Sequence, residues 1–284
     1  MTAIELVVEP RERSVGKGTV QRLLPVARRR MVGPFTFLDR IGPEDIAPGD
    51  GMDVAAHPHI GLSTLTYLFE GTILHRDSVG SVQQIEPGAV NWMTAGSGVT
   101  HTERSPDRAT HRTIHGLQMW VALPSGSEDG DPFFDHQPAG SIPSDRHGDS
   151  HVRLVAGTGF GMTSPVPVSS PLVLAELRLG GESPITVRRE MPERAILAVD
   201  GELTIDDDPV EQGTLAVLDR DHTPRIGGSG HAVLLGGEPL GKRHIWWNFV
   251  HSDPDVIDDA KRRWRDQLFP RVPGDHDGWV PLPE

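Results

Sequence analysis

Two short motifs carry the residue types best suited to chemistry. His57-Pro-His59 and His101-Thr-Glu103 each place two metal-binding side chains at positions i and i+2. Alternate side chains of a β-strand point to the same face, so each motif presents two ligands in one direction. Two such strands that meet would bring His57, His59, His101 and Glu103 to one point. Three neutral imidazoles and one carboxylate suit iron and its neighbours in the first transition series.

The segments around these motifs are typical of strands. A β-rich run from Ile60 to Phe69 leaves the first motif directly, and the turn at Gly96-Ser97-Gly98 precedes the second, where it can fold one pair of ligands against the other. Short apolar runs interrupted by Gly and Pro continue through most of the chain, which has 32 glycines and 25 prolines. This pattern favours an all-β fold built as a sandwich or barrel.

The chain divides into two strand-rich blocks. Residues 124–150 contain few apolar side chains and are predicted as a linker or long surface loop, and strand candidates resume near Val152. We therefore expect one domain at 1–135, which contains both metal motifs, and a second at 136–284. The second block has no paired motif, so we expect it to lack a metal site. Histidines of this block such as His222, His231, His244 and His251 are isolated from one another.

The chain is predicted to end in a helix near 254–268. Asp253 is a suitable cap and Pro254 a suitable first residue. Apolar residues then recur at helical spacing through Trp264 and Leu268, with charged residues between them. Such a stripe serves either to pack on the β core or to bind a membrane surface or partner, and packing on the core is the expected role.

Composition narrows the functional classes. The chain has 284 residues, with 27 Lys+Arg against 40 Asp+Glu and a formal net charge of −13, so direct binding to nucleic acid is disfavoured. It contains no cysteine, which excludes disulfides, thiolate ligands and a cysteine nucleophile. No apolar run approaches the length of a membrane span, and the N-terminus lacks the layout of a secretory signal. A cytoplasmic protein without membrane contact is expected.

The motifs and their flanks resemble a known family. The frame formed by Gly51, His57, His59 and Gly71 resembles the first motif of the cupin superfamily, although the usual cupin glutamate falls at Thr64. The second motif is longer than the standard spacing, lacks its proline and carries Glu103 instead. With these departures, the runs His-Pro-His-Ile-Gly-Leu, Asn-Trp-Met-Thr-Ala-Gly-Ser-Gly-Val-Thr-His-Thr-Glu and His-Gly-Leu-Gln-Met-Trp resemble the pirin family.

The resemblance implies a bicupin, with two stacked β-barrels and one divalent transition metal in the N-terminal barrel. The ligands of that family correspond to His57, His59, His101 and Glu103. Iron(II) is the expected metal, and Zn, Mn, Ni, Co and Cu accept the same ligands. The other nearby histidines, His75 and His115, are either structural residues or groups that orient a ligand.

Two functions follow from the resemblance. The first is a quercetin 2,3-dioxygenase-type oxidoreductase, in which Glu103 is the catalytic base that takes the proton of a flavonol-like small-molecule substrate. The second is a non-enzymatic, redox-sensing metalloprotein that regulates a transcription factor or metabolic enzyme as a protein partner. A metal with a purely structural role is a third interpretation, which an accessible four-ligand site argues against.

Overall fold

The computed structural model describes residues 2–16, 18–106, 108–275 and 277–283, and most of their regular structure is strand. The first eleven strands are β1 (Ile4–Val8), β2 (Arg11–Val15), β3 (Gly18–Leu24), β4 (Phe35–Ile46), β5 (Val54–His59), β6 (Leu62–Glu70), β7 (Ile73–Asp77), β8 (Val82–Ile85), β9 (Val90–Thr94), β10 (Val99–Arg104) and β11 (Arg112–Ala122). The others are β12 (Phe133–Gln137), β13 (Ser144–His147), β14 (Ser150–Gly159), β15 (Met162–Thr163), β16 (Leu172–Gly180), β17 (Ile185–Thr186), β18 (Glu193–Ile205), β19 (Asp208–Val210), β20 (Leu215–Leu218), β21 (Arg225–Gly237), β22 (His244–Trp246) and β23 (Phe249–His251).

The strands form two compact units. The motif unit comprises Glu12–Gln21, Leu38–Ala139 and Leu240–Glu284, and the companion unit comprises Met1–Arg11, Arg22–Phe37 and Gly140–Pro239. The expected domains at 1–135 and 136–284 are contiguous, whereas these units are not. The central break, between Ala139 and Gly140, lies close to the expected one. The two ends of the chain are assigned differently because their contacts are long-range: β1 pairs with β20, and β23 packs beside β5 and β6.

The motif unit contains the two sheets that position the predicted ligands. A four-stranded sheet has the order β5-β10-β7-β8, and a seven-stranded sheet has the order β12-β9-β6-β11-β4-β3-β2. β5 and β10 carry the two motifs, while β6 and β11 carry side chains that reach the first sheet. A further short pair, β22 with β23, belongs to the same unit.

The companion unit is built on one sheet with the order β1-β20-β18-β21-β16-β14-β13, to which β15, β17 and β19 attach. Its inward-facing side chains form one apolar core, in which Leu154, Ala175, Ile196 and Ala232 are fully buried. The all-β architecture in two units predicted from the sequence is confirmed.

The C-terminal helix α1 spans Pro254–Arg265 and begins as predicted. The Asp253 side chain accepts the backbone N–H of Asp255, and Pro254 occupies the first turn. Ile257 and Trp264 are buried in a cluster with Phe249, so the stripe packs on the unit's own core. Leu268 is 66% exposed and lies beyond the helix, which therefore ends three residues earlier than predicted.

The prediction of a linker or long surface loop at 124–150 is wrong, because this segment contains two strands. β12 pairs with β9 and β13 pairs with β14, so much of this polar segment is held by backbone hydrogen bonds rather than by apolar side chains. Its exposed side chains gave no strand pattern. Of the described residues, none form a helix with the length and apolar character of a membrane span.

Candidate metal centre

The two motifs meet because β10 is the neighbour of β5. His101 lies directly opposite His57, and Val99 lies opposite His59. On its other side β10 pairs with β7, so that His101 lies opposite Asp77 and Glu103 opposite His75. Three adjacent strands therefore present imidazoles and carboxylates on one face, which is the outcome of the i, i+2 spacing.

Local features of β5 fit its place in the sheet. Proline interrupts a strand ladder and is tolerated at a sheet edge, and Pro58 lies on β5, the edge strand of this sheet. The pairing with β10 shifts by one residue between His57 and Val54, which is the signature of a β-bulge. Gly61 ends the segment with φ +65°, where an added Cβ would lie 1.8 Å from the carbonyl oxygen of Val250. Only glycine fits there.

Three of the predicted ligands form a buried cluster. The side chains of His57, His59 and His101 are 7%, 1% and 1% exposed, and their ligand nitrogens lie within 4.8 Å of one another. Glu103 does not belong to this tight group. Within the part of the chain that the structure describes, no second group of three metal-capable side chains is as closely placed.

The outward nitrogen of each imidazole has a hydrogen-bond partner. His57 Nδ1 lies 2.8 Å from the carbonyl oxygen of Ala55, and His59 Nδ1 lies 3.2 Å from that of Asn248. His101 Nδ1 lies 3.4 Å from Nδ1 of His75. Metal-binding histidines are held this way in proteins, with one nitrogen bonded to an acceptor and the other free for the metal.

The facing nitrogens provide a test of whether a metal fits. His59 Nε2 and His101 Nε2 are 3.1 Å apart. If each Nδ1 donates outward, both Nε2 atoms carry lone pairs, and two acceptors at this distance repel unless a cation lies between them. Adjacent nitrogen ligands at about 2.1 Å from one ion are themselves about 3 Å apart in octahedral geometry. The donor set therefore fits a transition metal.

The electrostatics of the cluster favour neutral imidazoles. Burial, helped by the charges of His75 and Arg104 and opposed by the hydrogen bond with Ala55, lowers the pKa of His57 from 6.5 to about 4. Burial and then the charge of His57 lower the pKa of both His59 and His101 well below the usual value. The lone pairs that a metal needs are therefore available at neutral pH.

Glu103 lies next to the cluster in a different environment. Burial raises the pKa of its carboxyl group, while His75 and a hydrogen bond from Thr66 oppose that shift. Thr66 Oγ1 is 3.4 Å from Glu103 Oε1 but 2.7 Å from Gln118 Oε1. A hydroxyl has one proton, and the shorter contact takes it, so Glu103 is held loosely.

The opposite sheet closes this side of the cluster. Thr66 on β6 pairs with Gln118 on β11, and Thr66 Oγ1 lies within reach of both Gln118 and Glu103. Two residues along β11, the ring of Trp120 meets the ring of His59 edge to face at 5.2 Å. Trp120 is buried, so the histidines have an apolar neighbour on this side.

The outer face of β10 is tied to the C-terminal segment. Thr102 Oγ1 donates to Asp275 Oδ2 at 2.8 Å, and Arg104 binds both oxygens of the same carboxylate. The hydrogen bond from Arg104 has the largest effect and, with that from Thr102, holds the pKa of Asp275 below its usual range despite partial burial. Thr102 and Arg104 alternate with His101 and Glu103, so one strand carries the ligands inward and this ion pair outward.

Sequence reasoning missed several of these partners. Asp77, Asn248 and Asp275 are far from the motifs in sequence, and Asn248 acts through a backbone carbonyl, which no side-chain pattern reveals. His75 lies beside His101, and the role expected for it as a group that orients a ligand stays a prediction. His115 instead packs edge to face on Phe69 at 5.0 Å.

Comparison with known proteins is consistent with this geometry. The pirin family model matches residues 17–121, which include both motifs, and the pirin C-terminal cupin domain matches residues 174–270. A pirin-like protein of Caulobacter vibrioides is 45% identical over 99% of this chain and 100% of its own. The chain belongs to the pirin family. Membership of this family, together with the buried three-histidine cluster, supports a bound transition metal.

Two solved structures extend the comparison. A quercetin 2,3-dioxygenase from Acinetobacter baumannii is 33% identical and superposes with a TM-score of 0.91, covering 98% of this pirin and 95% of that chain. A bacterial pirin from Escherichia coli, solved in complex with nickel(II), is 20% identical, with a TM-score of 0.65 over 82% of this chain and 99% of that one. The second likeness supports the fold alone.

Proposed function

We propose that this pirin is a metal-dependent oxygenase of the quercetin 2,3-dioxygenase type, which cleaves a flavonol-like enol with dioxygen. The observation that carries the proposal is the pairing of two features: convergent imidazole lone pairs, and a half-buried carboxylate of raised pKa beside them. Similarity to the Acinetobacter baumannii quercetin 2,3-dioxygenase supports the same substrate class.

His57, His59, His101 and Glu103 are the proposed ligands, and iron(II) is the proposed metal. A bound divalent ion would supply Lewis acidity toward an enolate oxygen and redox chemistry toward dioxygen. Three neutral imidazoles and a single carboxylate leave a net positive charge at the site. The chain itself therefore favours binding of the substrate as its enolate anion.

Glu103 is the proposed base. A carboxylate with a raised pKa is a stronger proton acceptor than one in water, and burial is the cause of that shift here. Its oxygen Oε1 receives only the longer contact from Thr66, so the carboxylate is free to take the 3-hydroxyl proton of a flavonol.

The surrounding residues keep the reaction away from bulk water. His59 and His101 are almost fully buried, and Trp120 covers His59. A low local dielectric strengthens the interaction between an enolate and a positive site. It also opposes protonation of the imidazoles, which keeps them available as ligands.

The test is oxygen uptake with quercetin by protein loaded anaerobically with iron(II). The wild-type protein is expected to consume oxygen and release an equal amount of carbon monoxide. Glu103→Gln is expected to lower kcat by about 10²- to 10⁴-fold, because the amide does not accept the proton. It is expected to weaken iron binding by a smaller factor, because the amide oxygen is a poorer ligand than the carboxylate. His59→Ala is expected to lose both iron and activity.

The matched control is Glu176→Gln, which alters another largely buried glutamate, in the companion unit, and is expected to leave uptake unchanged. Equal loss of iron and activity in Glu103→Gln would reject a separate base role. No uptake by wild-type protein with one iron per chain would reject the oxygenase and favour the redox-sensing alternative, for which a protein partner would then be sought.

A further inference from the structure

A line of hydrogen bonds leads away from one ligand to a buried carboxylate. His101 Nδ1 contacts His75 Nδ1 at 3.4 Å, and His75 Nε2 contacts Asp77 Oδ2 at 3.1 Å. All three side chains are at most 3% exposed. The pairing of β7 with β10 brings them together, since Asp77 lies opposite His101 and His75 opposite Glu103.

The carboxylate end of this line is firmly anchored. Asp77 Oδ1 accepts the backbone N–H groups of Val79, Gly80 and Ser81 at 2.9, 3.0 and 2.9 Å. Burial by itself would raise the pKa of Asp77, but the hydrogen bonds from His75 and Ser81 outweigh it, and the pKa lies below its usual value. Asp77 is therefore an anion that accepts on both oxygens.

The anion sets the direction of every bond along the line. Because Asp77 Oδ2 only accepts, His75 must carry its proton on Nε2, which leaves a lone pair on His75 Nδ1. His101 must then donate from Nδ1, and its lone pair lies on Nε2, the atom that faces His59 Nε2. The ring of His75 is also fixed in its plane, since it stacks on Phe134 with centroids 4.7 Å apart.

The three imidazoles of the cluster are therefore unequal. His57 and His59 donate to neutral backbone carbonyls, whereas His101 donates into a line that ends on a negative charge. An anionic partner raises the basicity of a metal-binding imidazole more than a neutral one does. We propose that His75 and Asp77 are positioning residues, which fix the tautomer of His101 and make it the strongest nitrogen donor of the site. The inference rests on the proposed metal site and not on the oxygenase reaction.

The decisive variant is Asp77→Asn. The amide oxygen would keep the three hydrogen bonds of the turn, so its NH₂ group would face His75 Nε2. That reverses the line: His75 would accept on Nε2 and donate from Nδ1, and His101 would be left with its proton on Nε2, where the metal binds. Affinity for Co(II), measured by competition with a chelator, is expected to fall about 10- to 100-fold. The Co(II) absorption bands are expected to shift.

Two further variants make the result specific. His75→Phe preserves an aromatic ring against Phe134 but removes the acceptor. It is expected to weaken Co(II) binding less than Asp77→Asn does, because no group then forces the proton of His101 onto Nε2. Asp206→Asn is the matched control, because Asp206 in the companion unit has a similar set of partners. Its Oδ1 accepts the backbone N–H of Arg225, and its Oδ2 lies 2.5 Å from His222 Nε2. It is expected to leave Co(II) binding unchanged.

A purely structural role would give a different result. If Asp77→Asn lowered the melting temperature of the metal-free protein but left Co(II) affinity and absorption as in wild type, the inference would be overturned. Co(II) binding by wild-type protein without oxygen uptake in the quercetin assay would overturn only the oxygenase proposal. Failure of wild-type protein to bind Co(II) would overturn the metal site and this inference together.

Discussion

A buried histidine lies on a central strand in each unit, and the two have different neighbours. In the motif unit, His101 on β10 faces His57 on β5 and Asp77 on β7. In the companion unit, His231 on β21 lies opposite Asp200 on β18, and its Nε2 is 3.1 Å from Glu176 Oε1 on β16. Both histidines are 1% exposed. Burial is therefore the same, and only the groups presented by the flanking strands differ.

That difference explains why similar strand arrangements favour different chemistry. His231 has a carboxylate beside each ring nitrogen, with Asp200 Oδ2 3.8 Å from Nδ1, so its neighbours favour hydrogen bonding and ion pairing. His101 Nε2 instead faces the Nε2 of His59 at 3.1 Å. Two nitrogen lone pairs at this distance repel each other unless a cation lies between them. A metal centre depends on what the neighbouring strands contribute as much as on the ligand itself.

Replacing one buried histidine in each unit is expected to give the largest difference between the units, which is measured as bound Co(II). His59→Ala removes one of the facing lone pairs, so bound Co(II) should fall from one ion per chain to almost none. His231→Ala, which truncates an equally buried imidazole outside the cluster, should leave one ion per chain. Elemental analysis after dialysis measures both. Equal metal loss in the two variants would mean that the comparison reflects general destabilisation instead.

The pH dependence of stability should also separate the units. Burial lowers the pKa of His57 from 6.5 to about 4, so the unfolded chain binds this proton more readily than the folded one. The contribution of His57 to the stability of the metal-free motif unit is therefore constant above about pH 6.5 and is lost as the pH drops toward 4. At ~1.4 kcal/mol per pH unit, His57 alone accounts for about 3 kcal/mol. The pKa of His59 and of His101 is shifted in the same direction.

Urea unfolding followed by tryptophan fluorescence measures this effect selectively. All six tryptophans of the sequence lie in the motif unit, so their signal does not report on the companion unit. His57→Ala should reduce the loss of stability between about pH 7 and about pH 5. A loss as large as that of wild-type protein would show that this imidazole is not protonated on unfolding.

A smaller contrast concerns backbone packing beside the ligands. Gly61 and Gly161 both have positive φ, at +65° and +75°, but only Gly61 has a neighbour, the Val250 carbonyl, where a Cβ would be. Gly161→Ala should cost about 1 kcal/mol of unfolding free energy for the φ angle alone, and Gly61→Ala should cost about 2 to 3 kcal/mol. Gly61→Ala should also weaken Co(II) binding, because β23 must move away from the turn after His59. Equal stability losses would show that this contact yields without strain.

Much of the fold was predictable because its signals are local. The i, i+2 spacing of His57 with His59 fixes the face on which both lie as soon as the segment is a strand. Asp253 and Pro254 likewise start α1 without help from the rest of the chain. β12 and β13 escaped prediction because their segment is mostly polar. Backbone pairing with β9 and β14 holds them in place, and Phe134 of β12 packs on the core.

The sequence by itself determined the residue types of the candidate site, the directions of their side chains along each strand and the family to which the chain belongs. Tertiary structure decided which strands are neighbours, and therefore that β7 brings His75 and Asp77 behind His101. It also brought the Asn248 carbonyl to His59 and the Asp275 carboxylate to Arg104. The physical reason is that cross-strand register and the approach of distant backbone groups depend on how the whole chain packs, and no local pattern of side chains encodes them.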